Sequence, residues 1–378
     1  MDRDEDAEPA EADPDRETSD AVVDADPRSA DVGADVPDLV LDAGANASCV
    51  AVLTGQDPPA WYHGACEPGA GDYLPRDPAA HEWPDCISDD NEYHRIEESV
   101  STIARVAAFD EIAALLWDNP ELPSKQDFLK ALELYAEPEG LASRVLRRYD
   151  VHYEPPTADF SCADEGAVER APDYCVGPAK LGPIVDQALS AGAEGDSPRV
   201  QAARAEAALI WFLYVSTVKE MTTCRDTPKD CDSSWAYYSG GTERERPAGL
   251  ARRFMELAPE VHQRVYDALL GVRCWKNLDN ETGASQDEQL HSQIRAQLDR
   301  ALLQGVAALT SQRFLDLDTC EDGEAHQAAA AFLDTLRPLL DRALRERDAD
   351  FADAFAEGNW VDEAADLTAS LDALLGCE

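Results

Sequence analysis

Apolar residues recur at three-to-four spacing along most of this chain, the pattern of helices that each bury one face. Ile96, Val100, Ile103, Val106, Ile112, Leu115 and Leu116 carry the period through residues 91–118, and Asn119-Pro120 stops it. Ser124 is placed to cap a short helix over 125–135, and 140–148 reads as another turn or two. After a fainter helical pattern over 181–191, Ser197-Pro198 opens a strong helix to about Thr223, with Pro198 suited to the first turn. The stretch Ala207-Ala208-Leu209-Ile210-Trp211-Phe212-Leu213 is apolar in every direction, which predicts burial on most sides. Further helices are predicted over 247–272, 285–315, 321–347 and 362–375, and strand alternation is nearly absent. The pattern predicts an all-α fold: one compact unit over 49–378 holding two packed helical bundles.

Other stretches break the period. Residues 1–48 are rich in Asp, Ala, Pro and Val and contain no aromatic residue, so they cannot bury enough apolar surface to offset their entropy. They are predicted to be a disordered acidic tether between a membrane anchor and the folded part. Residues 60–90 read as loop, with His63 and His81, and 150–180 as an irregular, cysteine-closed loop.

The 10 cysteines lack any Cys-x-x-Cys pair and point to disulfides rather than zinc or redox sites. Sequence neighbours suggest Cys66 with Cys86, Cys162 with Cys175 and Cys224 with Cys231, while Cys49 and Cys377 would tie the ends together. Cys274 and Cys320 complete the set. Met1-Asp2-Arg3-Asp4-Glu5-Asp6 has neither a basic region nor an apolar core, so the expectation is a periplasmic or extracellular protein whose leader has been removed. No apolar run reaches the roughly 18 residues of a membrane span.

Charge narrows the partners. A net charge of −45, from 77 acids against 32 bases, argues against nucleic acid, whose phosphates need a basic face. It suits solubility in salt, or a field that concentrates cations near a binding site.

Four constellations could use such a field. His94, Glu97 and Glu98 share one face if 91–118 is helical, and imidazole with carboxylate suits iron, zinc or manganese; the alternative is a solvated charged face. Glu288 and His291 form Glu-x-x-His, with Asp287 in reach, but a carboxylate-bridged di-iron bundle needs a second copy that the chain lacks. Glu220 closes the apolar helix, where the alternative to a buried ligand is a salt bridge to an arginine. Tyr237 and Tyr238 lead into Gly240-Gly241 and Glu243, a segment expected to fold back over a bundle end. Their phenolates would suit ferric iron, or the rings are core plugs.

Trp235-Ala236-Tyr237-Tyr238-Ser239-Gly240-Gly241 with Glu243 resembles the Trp-Ala-(aromatic)-Tyr-x-Gly stretch of the low-iron-inducible periplasmic iron-assimilation proteins of algae and their bacterial relatives. His94-Arg95-Ile96-Glu97 is similar to the end of the Gly-x-His-x-Ile-Glu motif of imelysin-like proteins, with Glu92 standing where that motif has Gly. The resemblance implies a two-bundle helical periplasmic protein of iron uptake, with Glu97, Glu220 and Glu243 carried over first. The resulting expectation is capture of Fe(III) or Fe(II), with zinc open, and delivery to a membrane transporter or permease. A metal-free acidic interaction scaffold is the second expectation and a ferroxidase the third. No zinc-peptidase helix, nucleophile elbow or phosphate loop is present. The Cys224–Cys231 pair would brace the loop between Glu220 and the tyrosines, so that reduction weakens metal binding before it unfolds the bundles.

Overall fold

The computed structural model describes residues 67–77, 83–137, 140–278, 287–319 and 323–345. All of them belong to one compact unit, Gly44–Glu378. The expected tether over 1–48, the loop histidines His63 and His81, the last expected helix over 362–375, and Cys49, Cys66, Cys320 and Cys377 lie outside the described residues.

Every regular element among the described residues is helical. They are α1 (Thr102–Leu116), α2 (Lys125–Ala136), α3 (Leu141–Val145), α4 (Ala167–Arg170), α5 (Gly182–Glu194), α6 (Pro198–Thr223), α7 (Pro228–Ser239), α8 (Gly249–Leu257), α9 (Pro259–Leu278), α10 (Glu288–Thr319) and α11 (Glu324–Arg345). The local signals explain most of these bounds. At α2, Ser124 and Asp127 form a capping box that satisfies two first-turn N–H groups. At α6, Pro198 occupies the first turn, where its missing N–H costs nothing.

α6 is buried almost without interruption from Gln201 to Met221, as its apolar stretch predicts. It can be buried all round because two groups of helices share it. On one side α5 packs on α6 with α2 and α1 beyond it; on the other α7, α10 and α11 pack on it, and α8 and α9 join these through α7 and α10. The two packed bundles of the sequence reading therefore have a common central helix. Gly192 of α5 lets Phe128 of α2 approach closely, since a Cβ there would lie 2.3 Å from the ring.

Three expectations change. Residues 91–101 are irregular, so the first long helix begins only at Thr102. Hydrogen bonds from outside the segment take its backbone: Asp232 accepts the N–H groups of Ile96 and Glu97, and Arg273 donates to the His94 carbonyl. The aromatic segment after Cys231 is not a fold-back loop but helix α7, started by Pro228 and ended by Gly240 in the left-handed conformation at φ 69°. The helix expected over 247–272 is two helices, because Ala258 precedes Pro259 and is pushed out of the helical region.

Disulfides join Cys162 to Cys175, which closes the expected irregular loop, and Cys224 to Cys231. Cys86 is bonded to Cys274, 188 residues away, which corrects the neighbour pairing of Cys86 with Cys66. Tertiary packing of the 83–100 segment against α9 decides this bridge, and sequence proximity carries no information about it. Cross-links of this kind persist in oxidising, extracellular-type surroundings. No helix among the described residues is long and apolar enough to cross a membrane.

Candidate metal loop and the buried ionic clusters

A 3-10 turn, Ile87–Asp90, precedes the loop of interest. Asp89 closes the turn by accepting the Cys86 N–H at 2.8 Å, and it also takes the Tyr73 hydroxyl at 2.7 Å. Asn91 then adopts the left-handed conformation at φ 69° and turns the chain outward. Beyond it the chain is irregular, and residues at alternate positions gather on one side. Asp90, Glu92 and His94 each offer a ligand atom, all within 4.8 Å of one another; the two acids are exposed and the histidine half-buried. His94 Nε2 already lies 2.7 Å from Asp90 Oδ2.

The loop carrying this trio is fixed from behind. Asp232 of α7 is fully buried and accepts N–H groups from Ile96 at 2.9 Å and Glu97 at 2.8 Å, plus the Tyr93 hydroxyl at 3.1 Å. Burial pushes the Asp232 carboxyl up, and these donors work against that shift. Arg244 reaches Asn91 Oδ1 at 2.8 Å, Tyr93 stacks on Trp235 at 4.5 Å, and the Cys86–Cys274 bridge anchors the turn. Glu97 and Glu98 are exposed and stand outside the trio, so the shared helical face expected for them with His94 does not exist.

Glu220 and Tyr237 are brought together, but by an arginine. Arg148 donates to Glu220 Oε1 at 2.7 Å and to the Tyr237 hydroxyl at 3.0 Å, and Lys219 reaches Glu220 Oε2 at 3.3 Å. Burial pushes the Glu220 carboxyl up, yet Arg148 and Lys219 outweigh it and hold the group below the usual carboxylate range. The salt-bridge alternative for Glu220 is the one observed. Nearby Asp230 is shifted the other way: burial and the Glu220 charge raise it to about 6, and a hydrogen bond from Thr223 with the charges of Lys219 and Lys229 only partly offsets this. The Cys224–Cys231 bridge spans the connection between Glu220 and this cluster.

The remaining candidates are separate. Tyr238 is buried and bonded to His262 Nδ1 at 3.0 Å. His262 Nε2 meets the Arg244 carbonyl at 2.9 Å and so carries the proton, which leaves Nδ1 to accept from the phenol. Burial lowers His262 to about 4, so it is neutral at pH 7. Glu243 is exposed and pairs with Arg246. Asp287 caps α10 by accepting the Leu290 N–H at 2.9 Å. Glu288 is exposed, whereas His291 is buried against Trp275 at 4.4 Å, so the Glu-x-x-His pair does not converge. His291 Nε2 has no hydrogen-bond partner among the described residues, and burial lowers the imidazole.

One cluster left no sequence signal. His152 lies between an acid two residues away and one from a distant helix, with Nδ1 2.6 Å from Asp150 and Nε2 3.1 Å from Asp299 of α10. Burial opposes the charge on the ring, but the two carboxylates outweigh it and raise the imidazole. Asp299 falls to about 2: burial opposes this too, and His152 outweighs it. Tyr214 of α6 donates to Asp299, and Arg342 of α11 donates to Tyr214 at 2.8 Å, so a charged bridge ties the 150–152 segment to three helices. The Asp90-x-Glu92-x-His94 spacing, by contrast, is readable once the segment is taken as extended rather than helical. No protein-family model, curated protein or solved structure matches this chain.

Proposed function

We propose that this is an extracytoplasmic metal-binding protein that captures iron for uptake, with Asp90, Glu92 and His94 as its ligands. The observation that carries the reading is the convergence of two carboxylates and an imidazole within 4.8 Å on a loop held by a buried aspartate and a disulfide. Fixing the loop in advance lowers the ordering cost of closing ligands around an ion. Two hard oxygen donors with one imidazole suit Fe(III), Fe(II) or zinc, and exposure leaves room for water or a chelator in the remaining positions. The charge of −45 draws cations toward the surface, and the resemblance to iron-assimilation proteins points the same way.

Affinity falls on acidification, since protons compete for all three ligands. The test is elemental analysis of purified protein equilibrated with ferric citrate, ferrous iron or zinc at pH 7.5, followed by gel filtration. The expected result is about one ion per chain, lost in His94→Ala and Asp90→Asn but kept in Glu220→Gln. Metal-free protein from all three incubations overturns the reading. A metal-free interaction scaffold is the second reading, favoured by the arginines that already neutralise the buried acids Glu220 and Glu206.

A further inference from the structure

A cleft of about 190 Å³, sharing no residue with the metal loop, opens between the end of α1, the 119–123 connection and the first turns of α6 and α11. One wall is built of small apolar residues, and polar and charged side chains form the rest. Ala202 and Ala203 come from α6, Ala328 and Ala329 from α11, and Leu116 and Trp117 from α1 and its end. For scale, an engineered cavity of about 150 Å³ takes a benzene molecule.

Five charged side chains line the cleft: Asp118, Glu121, Glu206, Arg199 and Arg313, of which Glu121 stands at the exposed rim. Glu206 is 2% exposed and has both oxygens taken, Oε1 by Arg253 at 3.1 Å and Oε2 by Arg313 at 2.7 Å. Asp118 is likewise divided between Arg252 at 2.6 Å and Arg253 at 2.7 Å. Both acids are therefore neutralised by guanidinium groups and have no strong acceptor capacity left for an incoming cation. Arg199 stands differently. Its backbone N–H donates to Glu324 at 3.0 Å, but its guanidinium has no hydrogen bond or ion pair among the described residues. It sits in the first turn of α6, where the helix end favours negative charge and has already drawn in one carboxylate of the chain's own.

An uncommitted fork of donors above an alanine-lined cleft calls for an acceptor with an apolar body. We infer that this cleft is a binding site for a small monocarboxylate with a compact apolar group, with the carboxylate on Arg199 and the body against Ala202, Ala203, Ala328 and Ala329. The cation loop plays no part in it. Arg199 supplies a planar, bidentate match to a carboxylate, and the ion-paired Arg253, Arg313 and Glu206 hold the wall rigid.

Calorimetric titration with benzoate, isovalerate and butyrate tests the assignment, with benzamide as the uncharged control. Saturable binding of at least one carboxylate is expected, with benzamide and the Arg199→Gln variant each weaker by about tenfold or more. Arg199→Gln should fold normally, because the side chain it replaces has no hydrogen-bond or ion-pair partner among the described residues. Ala328→Leu fills the cleft from a half-buried position and should abolish binding; thermal melting checks that both variants are folded. No saturable heat or ligand-detected NMR signal from any of the three acids up to about 10 mM overturns the proposal. Equal binding of benzamide, or unchanged binding in folded Arg199→Gln, overturns the carboxylate assignment.

Discussion

Around Glu220 and around His94 the chain assembles similar kinds of group, carboxylates with a nitrogen or phenol donor nearby, yet the two regions behave in opposite ways. Glu220 is buried, so its charge must be met from within, and Arg148 and Lys219 supply both contacts before any ion arrives. The acids beside His94 are exposed, so water meets most of their demand and the ligand atoms stay open to exchange. Burial is what converts a group that looks like a ligand into a structural ion pair. Glu220, a candidate ligand in sequence at the end of the most apolar helix, is for that reason already occupied.

The hardest test of this contrast is to remove the internal cation. Arg148→Met strands the buried Glu220 charge and should cost about 3–5 kcal/mol in denaturant unfolding. Adding Glu220→Leu should recover much of that loss, and failure to recover would show that Glu220 has other partners. Asp230 tests the same cluster from the other side. Its folded pKa of about 6 lies above the unfolded value, so its proton stabilises the fold at low pH and that contribution fades as pH rises from about 4 through 6. Asp230→Asn should therefore gain up to about 2 kcal/mol at pH 7.5, and little at pH 4, in paired urea titrations.

The His152 bridge extends the contrast to a charged imidazole. Its folded pKa is raised, so its contribution is complete below the unfolded value near 6.5 and is lost as pH climbs through the folded value. Asp299, lowered to about 2, contributes above its unfolded value near 4 and loses that as pH falls toward 2. The bridge is thus at full strength between about pH 4 and 6.5. His152→Gln should flatten the alkaline decline in urea midpoint between pH 6.5 and 9, and a decline unchanged from the parent chain would assign it to other groups. The smallest effect on the fold is expected at the loop itself. His94→Ala should leave unfolding within about 0.5 kcal/mol while metal uptake is lost, which separates ligand from scaffold in one variant.

Much of the architecture was legible. The capped start of α2, the proline-led α6 and the length of α10 follow from local periodicity and punctuation, which the structure preserves. α7 was legible too in its Pro228 and Gly240 bounds, but its aromatic content drew attention to chemistry instead. The candidate site was harder. His94 lies in the trio, while Asp90 and Glu92 did not stand out, because a helical period was extended across a segment whose backbone is claimed by Asp232 and Arg273.

The sequence by itself determined the all-helical class, the central burial of α6 and the two disulfides that close short loops, since each depends on residues near one another in the chain. Tertiary structure alone decided that Cys86 meets Cys274, that Arg148 neutralises Glu220, that His152 bridges Asp150 and Asp299, and that Asp90, Glu92 and His94 face one another. Three of these join partners far apart in sequence, and the fourth needs a loop conformation imposed from outside it. No local propensity encodes such contacts, because their free energy comes from burial and charge pairing that exist only once the helices have packed.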